Sequence, residues 1–137
     1  MRKTKLILDV NIWVSFAIGK QMRKVYDLVL QNDVEILVCS QLLEEFKLTL
    51  QKPKLQKYIT PERSQLAFEL IEQTATFITL KSNIRLVRDV KDDYLLVLAK
   101  DGIADFLITG DNDLLVLKQF ENTKILTFSE YLSLVHS

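Results

Sequence analysis

Five short apolar runs, Leu6 to Leu8, Glu35 to Val38, Thr76 to Leu80, Ala104 to Ile108 and Lys124 to Leu126, alternate with stretches whose apolar residues recur at helical spacing. This alternation constrains the chain more than any other feature. Strands joined through helices run parallel, and strands apolar on both sides must be covered on both sides. The expected fold is therefore α/β, a three-layer α/β/α arrangement around a mainly parallel sheet of about five strands. Only three glycines and two prolines interrupt the chain, so the helices should be long and the turns short. The spacing predicts helices over Lys20 to Gln31, over Gln41 to Leu50 with Ser40 as N-cap, and over Pro61 to Thr74 behind Thr60. Two more are expected, from Lys91 or Asp92 to Asp101 with Gly102 as the stop, and from Ser129 to Leu134.

The 137 residues contain no repeat and no linker-like stretch, so residues 1–137 are read as one domain. With 48% hydrophobic residues that domain can bury a core without disulfides or metal staples. Eighteen basic and eighteen acidic side chains give a formal net charge of zero, which excludes strong nonspecific attraction to nucleic acid or acidic membranes. The single cysteine, Cys39, can form neither an internal disulfide nor a Cys-based zinc cluster, and it reads as a buried structural thiol. Met1-Arg2-Lys3-Thr4-Lys5 and the apolar residues after it imitate a signal peptide, but Asp9 and Asn11 interrupt the apolar core. No stretch approaches the ~18 apolar residues of a membrane span. A cytoplasmic protein without membrane contact is expected.

In parallel α/β sheets the ligand crevice lies beyond the carboxyl ends of the strands, and here those ends are acidic. Leu6-Ile7-Leu8 runs into Asp9, a position that a helix cap would also explain. Glu45 lies between Leu42 and Phe46 by helical angle, so it leans toward the sheet while Glu44, about 100° away, faces solvent. Asp92 precedes Leu96 by four residues and Ala99 by seven, which puts it on the packed face, although carboxylates are also favoured in any first helical turn. Ile108-Thr109-Gly110-Asp111-Asn112-Asp113 leaves the fourth apolar run, with Gly110 allowing a tight turn and Leu114 and Leu115 anchoring a short helix. Asp113 is either a supporting ligand or a solvated helix-start residue.

Four carboxylates from separate segments at one sheet edge raise one another's pKa and destabilise the fold unless a cation neutralises them. Oxygen donors without histidine or cysteine select Mg²⁺ or Mn²⁺ over Zn²⁺. The only histidine, His136, is penultimate and reads as part of a frayed terminus.

Leu8-Asp9-Val10-Asn11, Ser40 to Phe46, Arg88 to Asp93 with Leu96 and Ala99, and Ala104 to Asp111 together resemble the PIN-domain family of metal-dependent ribonucleases, in particular the toxins of type II toxin–antitoxin pairs. The resemblance covers nearly the whole chain. It implies that Asp9, Glu45, Asp92 and Asp111 are the catalytic, metal-holding quartet, with Asn11, Thr109 and Asp113 as supporting groups. Two positions depart from the pattern: Val90 stands where proline is common, and Lys91 where another acid is common. The implied activity is Mg²⁺- or Mn²⁺-dependent hydrolysis of RNA phosphodiesters, with a small antitoxin protein as partner and a homodimer as one assembly. RNA contact would come from Lys47, Lys52, Lys54, Lys57 and Arg63, or from Arg85 and Arg88. The alternative is a non-catalytic RNA-binding or assembly module on the same fold. A phosphorylated receiver domain would need paired acids after the first strand and a lone aspartate after the third, where Lys81 stands. A haloacid-dehalogenase-type phosphatase would need an aspartate in place of Asn11.

Overall fold

The computed structural model describes residues 3–19, 22–31, 33–82 and 93–135. Among the described residues six strands, β1 (Thr4–Leu8), β2 (Val34–Val38), β3 (Ala75–Phe77), β4 (Phe106–Ile108), β5 (Gln119–Phe120) and β6 (Thr123–Leu126), form one sheet in the order β3-β2-β1-β4-β6-β5. All neighbours are parallel except β5 and β6. The helices are α1 (Val10–Ile18), α2 (Met22–Gln31), α3 (Ser40–Leu50), α4 (Pro53–Gln56), α5 (Pro61–Thr74), α6 (Asp93–Gly102), α7 (Asn112–Leu115) and α8 (Phe128–Val135).

The chain crosses the sheet in one direction from β1 through β2 to β3, then returns past β1 to β4. Right-handed crossovers consequently put α6 on the face opposite α1 to α5. The contacts agree, because α6 lies on β1, β2 and β4, while α2 covers β2 and α1 packs on α2, α3 and α5. Covered from both sides, Leu6, Ile7 and Leu8 of the central β1 are entirely buried, as the unbroken apolar run requires. The rings of Trp13, Phe46 and Phe68 tie α1, α3 and α5 together, with centroids 6.3 Å and 5.1 Å apart in the two successive pairs.

The sheet departs from the expected five strands at one edge. Gln119–Phe120 turns back on β6 as a two-residue antiparallel strand, too short to show any periodicity. The third strand begins at Ala75, directly on the end of α5, and stops at Phe77 instead of running to Leu80. Ser40 is the first residue of α3 and not its cap; the cap position falls on Cys39, which makes no side-chain capping bond. Thr60 does cap α5, accepting the Arg63 N–H at 3.2 Å.

Gly102 does not supply a left-handed stop. It is the last residue of α6, and the positive φ of 53° belongs to Ile103. What Gly102 supplies is closeness: a Cβ there would lie 2.5 Å from Leu37 Cδ1, so its absence lets α6 settle onto β2. Gly110 has no positive φ and open space around its Cα, so the turn after β4 does not require glycine.

Candidate functional site

Strands β1 and β4 are adjacent and parallel, with Leu8 opposite Ile108, so the residues that follow them emerge side by side. The path across the sheet reverses between these two strands, which opens a crevice at their carboxyl ends. Asp9 and Thr109 line it. The Asp9 N–H still donates to Ile108 O at 3.0 Å, which fixes the main chain, and the carboxylate turns to cap α1 by accepting the Asn11 N–H on Oδ1 at 2.7 Å. Its other oxygen, Oδ2, accepts the hydroxyl of Thr109. Thr109 is fully buried, and its Oγ1 also accepts the Asp111 N–H at 3.0 Å. Asp111 caps α7 in the same manner as Asp9 caps α1, its Oδ1 accepting the Asp113 N–H at 2.9 Å.

The third acid comes from α3. Glu45 is half-buried and Glu44 exposed, and Glu45 Oε2 accepts the hydroxyl of Tyr94, near the start of α6. Tyr94 also walls a shallow cleft of about 330 Å³ together with Gln41, Glu44, Glu45 and Leu48. Burial and the adjacent Glu45 push the phenol far up, so it remains a donor at any physiological pH.

Asp9 is only 6% exposed, yet among the described residues the charged groups acting on it are Asp111 and Glu45, both acidic. Desolvation raises its pKa most, the bonds from Thr109 and Asn11 oppose the rise, and the two neighbouring carboxylates add to it. Among the described residues this buried carboxylate, facing two others, is held by hydrogen-bond dipoles, an arrangement that a cation relieves.

The structure thus brings Asp9, Glu45 and Asp111 into one electrostatic neighbourhood, with Thr109 at its base. Asn11 and Asp113 have exposed side chains, and each engages a neighbouring carboxylate through its backbone N–H. Asp92 lies outside the described residues, as do Arg85, Arg88, Asp89, Lys91 and His136. Among the described residues no three Asp, Glu, His or Cys side chains converge closely enough to enclose an ion. The donors nevertheless suit a hard divalent cation, being carboxylate and hydroxyl oxygens with an excess of negative charge.

Tyr94 escaped the reading of the sequence because a tyrosine in Asp93-Tyr94-Leu95-Leu96 looks like core. The available signal was its hydroxyl, which needs a partner when a helix carries it inward. Two basic candidates have other employment. Arg63 donates to Tyr58 O, Ala17 O and Ile18 O at 3.1, 2.8 and 3.3 Å, tying α5 to the end of α1. Lys47, roughly 200° around α3 from Glu45, lines a cavity of about 660 Å³ between α3, α4 and α5. Cys39 is buried, which pushes its thiol up and leaves it unreactive.

No helix among the described residues is long and apolar enough to cross a membrane. A family model described as PIN domain matches residues 5–113. An uncharacterized protein of Methanocaldococcus jannaschii is 27% identical over 119 residues, covering 85% of this chain and 76% of that protein. Among solved structures, VapBC2 from Rickettsia felis, crystallised with a DNA fragment from its promoter, aligns with a TM-score of 0.61 at 17% identity. That alignment covers 89% of this chain and 97% of the other, and shows the same fold.

Proposed function

The chain belongs to the PIN domain family, and we propose that it is a divalent-metal-dependent endoribonuclease, the toxin of a toxin–antitoxin pair. The observation that carries this reading is Asp9, a carboxylate sealed at a strand end, oriented by two donors and faced, among the described residues, by two other acids. Structural carboxylates in such positions pair with Lys or Arg, whereas a ligand for Mg²⁺ or Mn²⁺ is kept unpaired and oriented. Asp9, Glu45, Asp92 and Asp111 would hold the ion. When bound, it would supply a Lewis acid for the phosphate and a route to an activated water.

The chain's own residues do the rest. Thr109 holds Asp9 Oδ2 and the Asp111 N–H at once, so one buried hydroxyl sets the spacing of two acids. The Asn11 N–H fixes Asp9 Oδ1, and the Asp113 N–H fixes Asp111 Oδ1. The acids would repel a polyanion in metal-free protein, so RNA binding would depend on the ion as well.

A small antitoxin protein is the proposed partner. It is supported by the fold shared with VapBC2 and by exposed apolar side chains such as Leu30 on α2 and Leu66 on α5, which would also serve a homodimer. The proposed location is the cytoplasm.

The test is cleavage of labelled single-stranded RNA by the purified chain with Mn²⁺, Mg²⁺ or EDTA, beside Asp9→Asn and Asp92→Asn prepared identically. Metal-dependent cutting that both variants lose supports the reading. Cutting that survives both substitutions refutes this quartet, and Mn²⁺ binding without cutting of any RNA favours the non-catalytic module.

A further inference from the structure

Each acid in the crevice needs something to aim it, and the sources differ. Asp9 and Asp111 are short side chains aimed by backbone N–H groups two residues ahead, a local device that folds with the turn itself. Glu45 has one more rotatable bond and sits half-exposed on α3, so no backbone donor of its own helix can reach its carboxylate. Its partner comes instead from the other side of the sheet: Tyr94 of α6 donates to Oε2 across a sequence separation of 49 residues.

We propose that Tyr94 is a positioning residue for Glu45, its hydroxyl holding Oε2 so that Oε1 is the oxygen turned toward a divalent cation. The proposal rests on the metal-dependent reading above. Tyr94 follows Asp92 by two residues, so the same bond links the segment carrying one proposed ligand to the helix carrying another. The ring meanwhile forms one wall of the cleft beside Glu45. Without the hydroxyl Glu45 regains its rotamers, and the ion must order the side chain at the moment of binding.

Mn²⁺ affinity, read from the free-ion electron paramagnetic resonance signal, separates this role from a structural one. The full chain is compared with Tyr94→Phe, Glu45→Gln and the double variant. Tyr94→Phe should weaken Mn²⁺ binding by roughly 10-fold or more, the usual effect of removing the group that orients a ligand. In the Glu45→Gln background the same substitution should change nothing further, because its target is gone. Equal affinity in wild type and Tyr94→Phe, or the same loss in both backgrounds, overturns the proposal while leaving the metal reading intact. Absence of Mn²⁺ binding by the wild type overturns the metal reading itself. Thermal melts in EDTA report the fold of each variant. Should Tyr94→Phe melt below the assay temperature, Tyr94→Leu, which also lacks the hydroxyl, replaces it, with the same loss and the same dependence on Glu45 expected.

Discussion

Replacing Thr109 by valine removes one oxygen from a fully buried position and changes almost nothing in volume. Two bonds go with it, the charge-assisted one to Asp9 Oδ2 and the one accepted from the Asp111 N–H. A hydrogen bond to a charged group contributes about 1.5–3 kcal/mol, and an orphaned buried N–H costs about 1–3 kcal/mol. Asp111 is half-buried, so water recovers much of the second loss, and a net destabilisation of about 2 kcal/mol follows at pH 8 in EDTA. For a chain of this size that lowers the melting temperature by about 7 °C. The loss must also depend on pH. Asp9 already has a raised pKa in the folded state, so its contribution to stability is greatest below its unfolded value and declines as pH rises through the folded one. Thr109 is the main group holding that rise in check, and its removal moves the folded pKa further up. The variant should therefore lie closest to wild type in acid and diverge from it above the raised pKa. Urea melts at pH 5 and pH 8, repeated in an Asp9→Asn background, decide the matter. A loss that is equal at both pH values, or that persists undiminished in Asp9→Asn, would falsify the argument that Thr109 acts on a buried charge.

Two further outcomes concern the frame. Asp101, at the end of α6, accepts the Lys81 N–H, the Ser82 hydroxyl and the Ser82 N–H, which together hold its carboxyl below the ordinary range. Asp101→Asn should cost about 1 kcal/mol near neutrality after allowance for solvent competition. A lowered pKa gives stability that is present above the unfolded value and lost as pH falls through the folded one, so wild type and variant should converge in strong acid in urea titrations. Ile103 holds a φ of 53° at 63% exposure, a left-handed conformation that strains a β-branched residue. Ile103→Asn should raise stability by about 1 kcal/mol, or the melting temperature by about 3–4 °C, and an unchanged or lower calorimetric midpoint would refute the strain.

The strand runs and long helices were legible because each carries many residues of one periodicity, and burial on both faces of β1 leaves Leu6, Ile7 and Leu8 no other reading. What escaped were features decided by a single neighbour. Gly102 sits where a helix stop is expected, and only the approach of Leu37 shows that it serves packing while Ile103 takes the strained angle. Ser40 was a cap by composition, but the β2 strand hands over to α3 one residue earlier, at Cys39. Gln119–Phe120 pairs only because the chain doubles back on β6. Tyr94 belongs to the same class, since its role depends on a helix 49 residues away.

The sequence also left Asp9 divided between helix cap and metal ligand, and the structure shows that capping, there as at Asp111, does not use up the carboxylate. Capping occupies one lone pair of one oxygen, and each carboxylate has about four acceptor sites. Beyond the ends of the buried strands β1 and β4, the cap bond fixes one oxygen of each carboxylate beside the crevice between them and leaves further acceptor sites on both. A single residue type at that position starts the helix and supplies the charge. The two functions part company in energy, however. An exposed cap contributes stability outright, whereas Asp9 is 6% exposed and, among the described residues, faces two other carboxylates, so its charge opposes the fold that its cap supports. Asp9→Asn keeps an acceptor for the Asn11 N–H and removes that charge, and in metal-free buffer the substitution should therefore leave the fold at least as stable as the wild type.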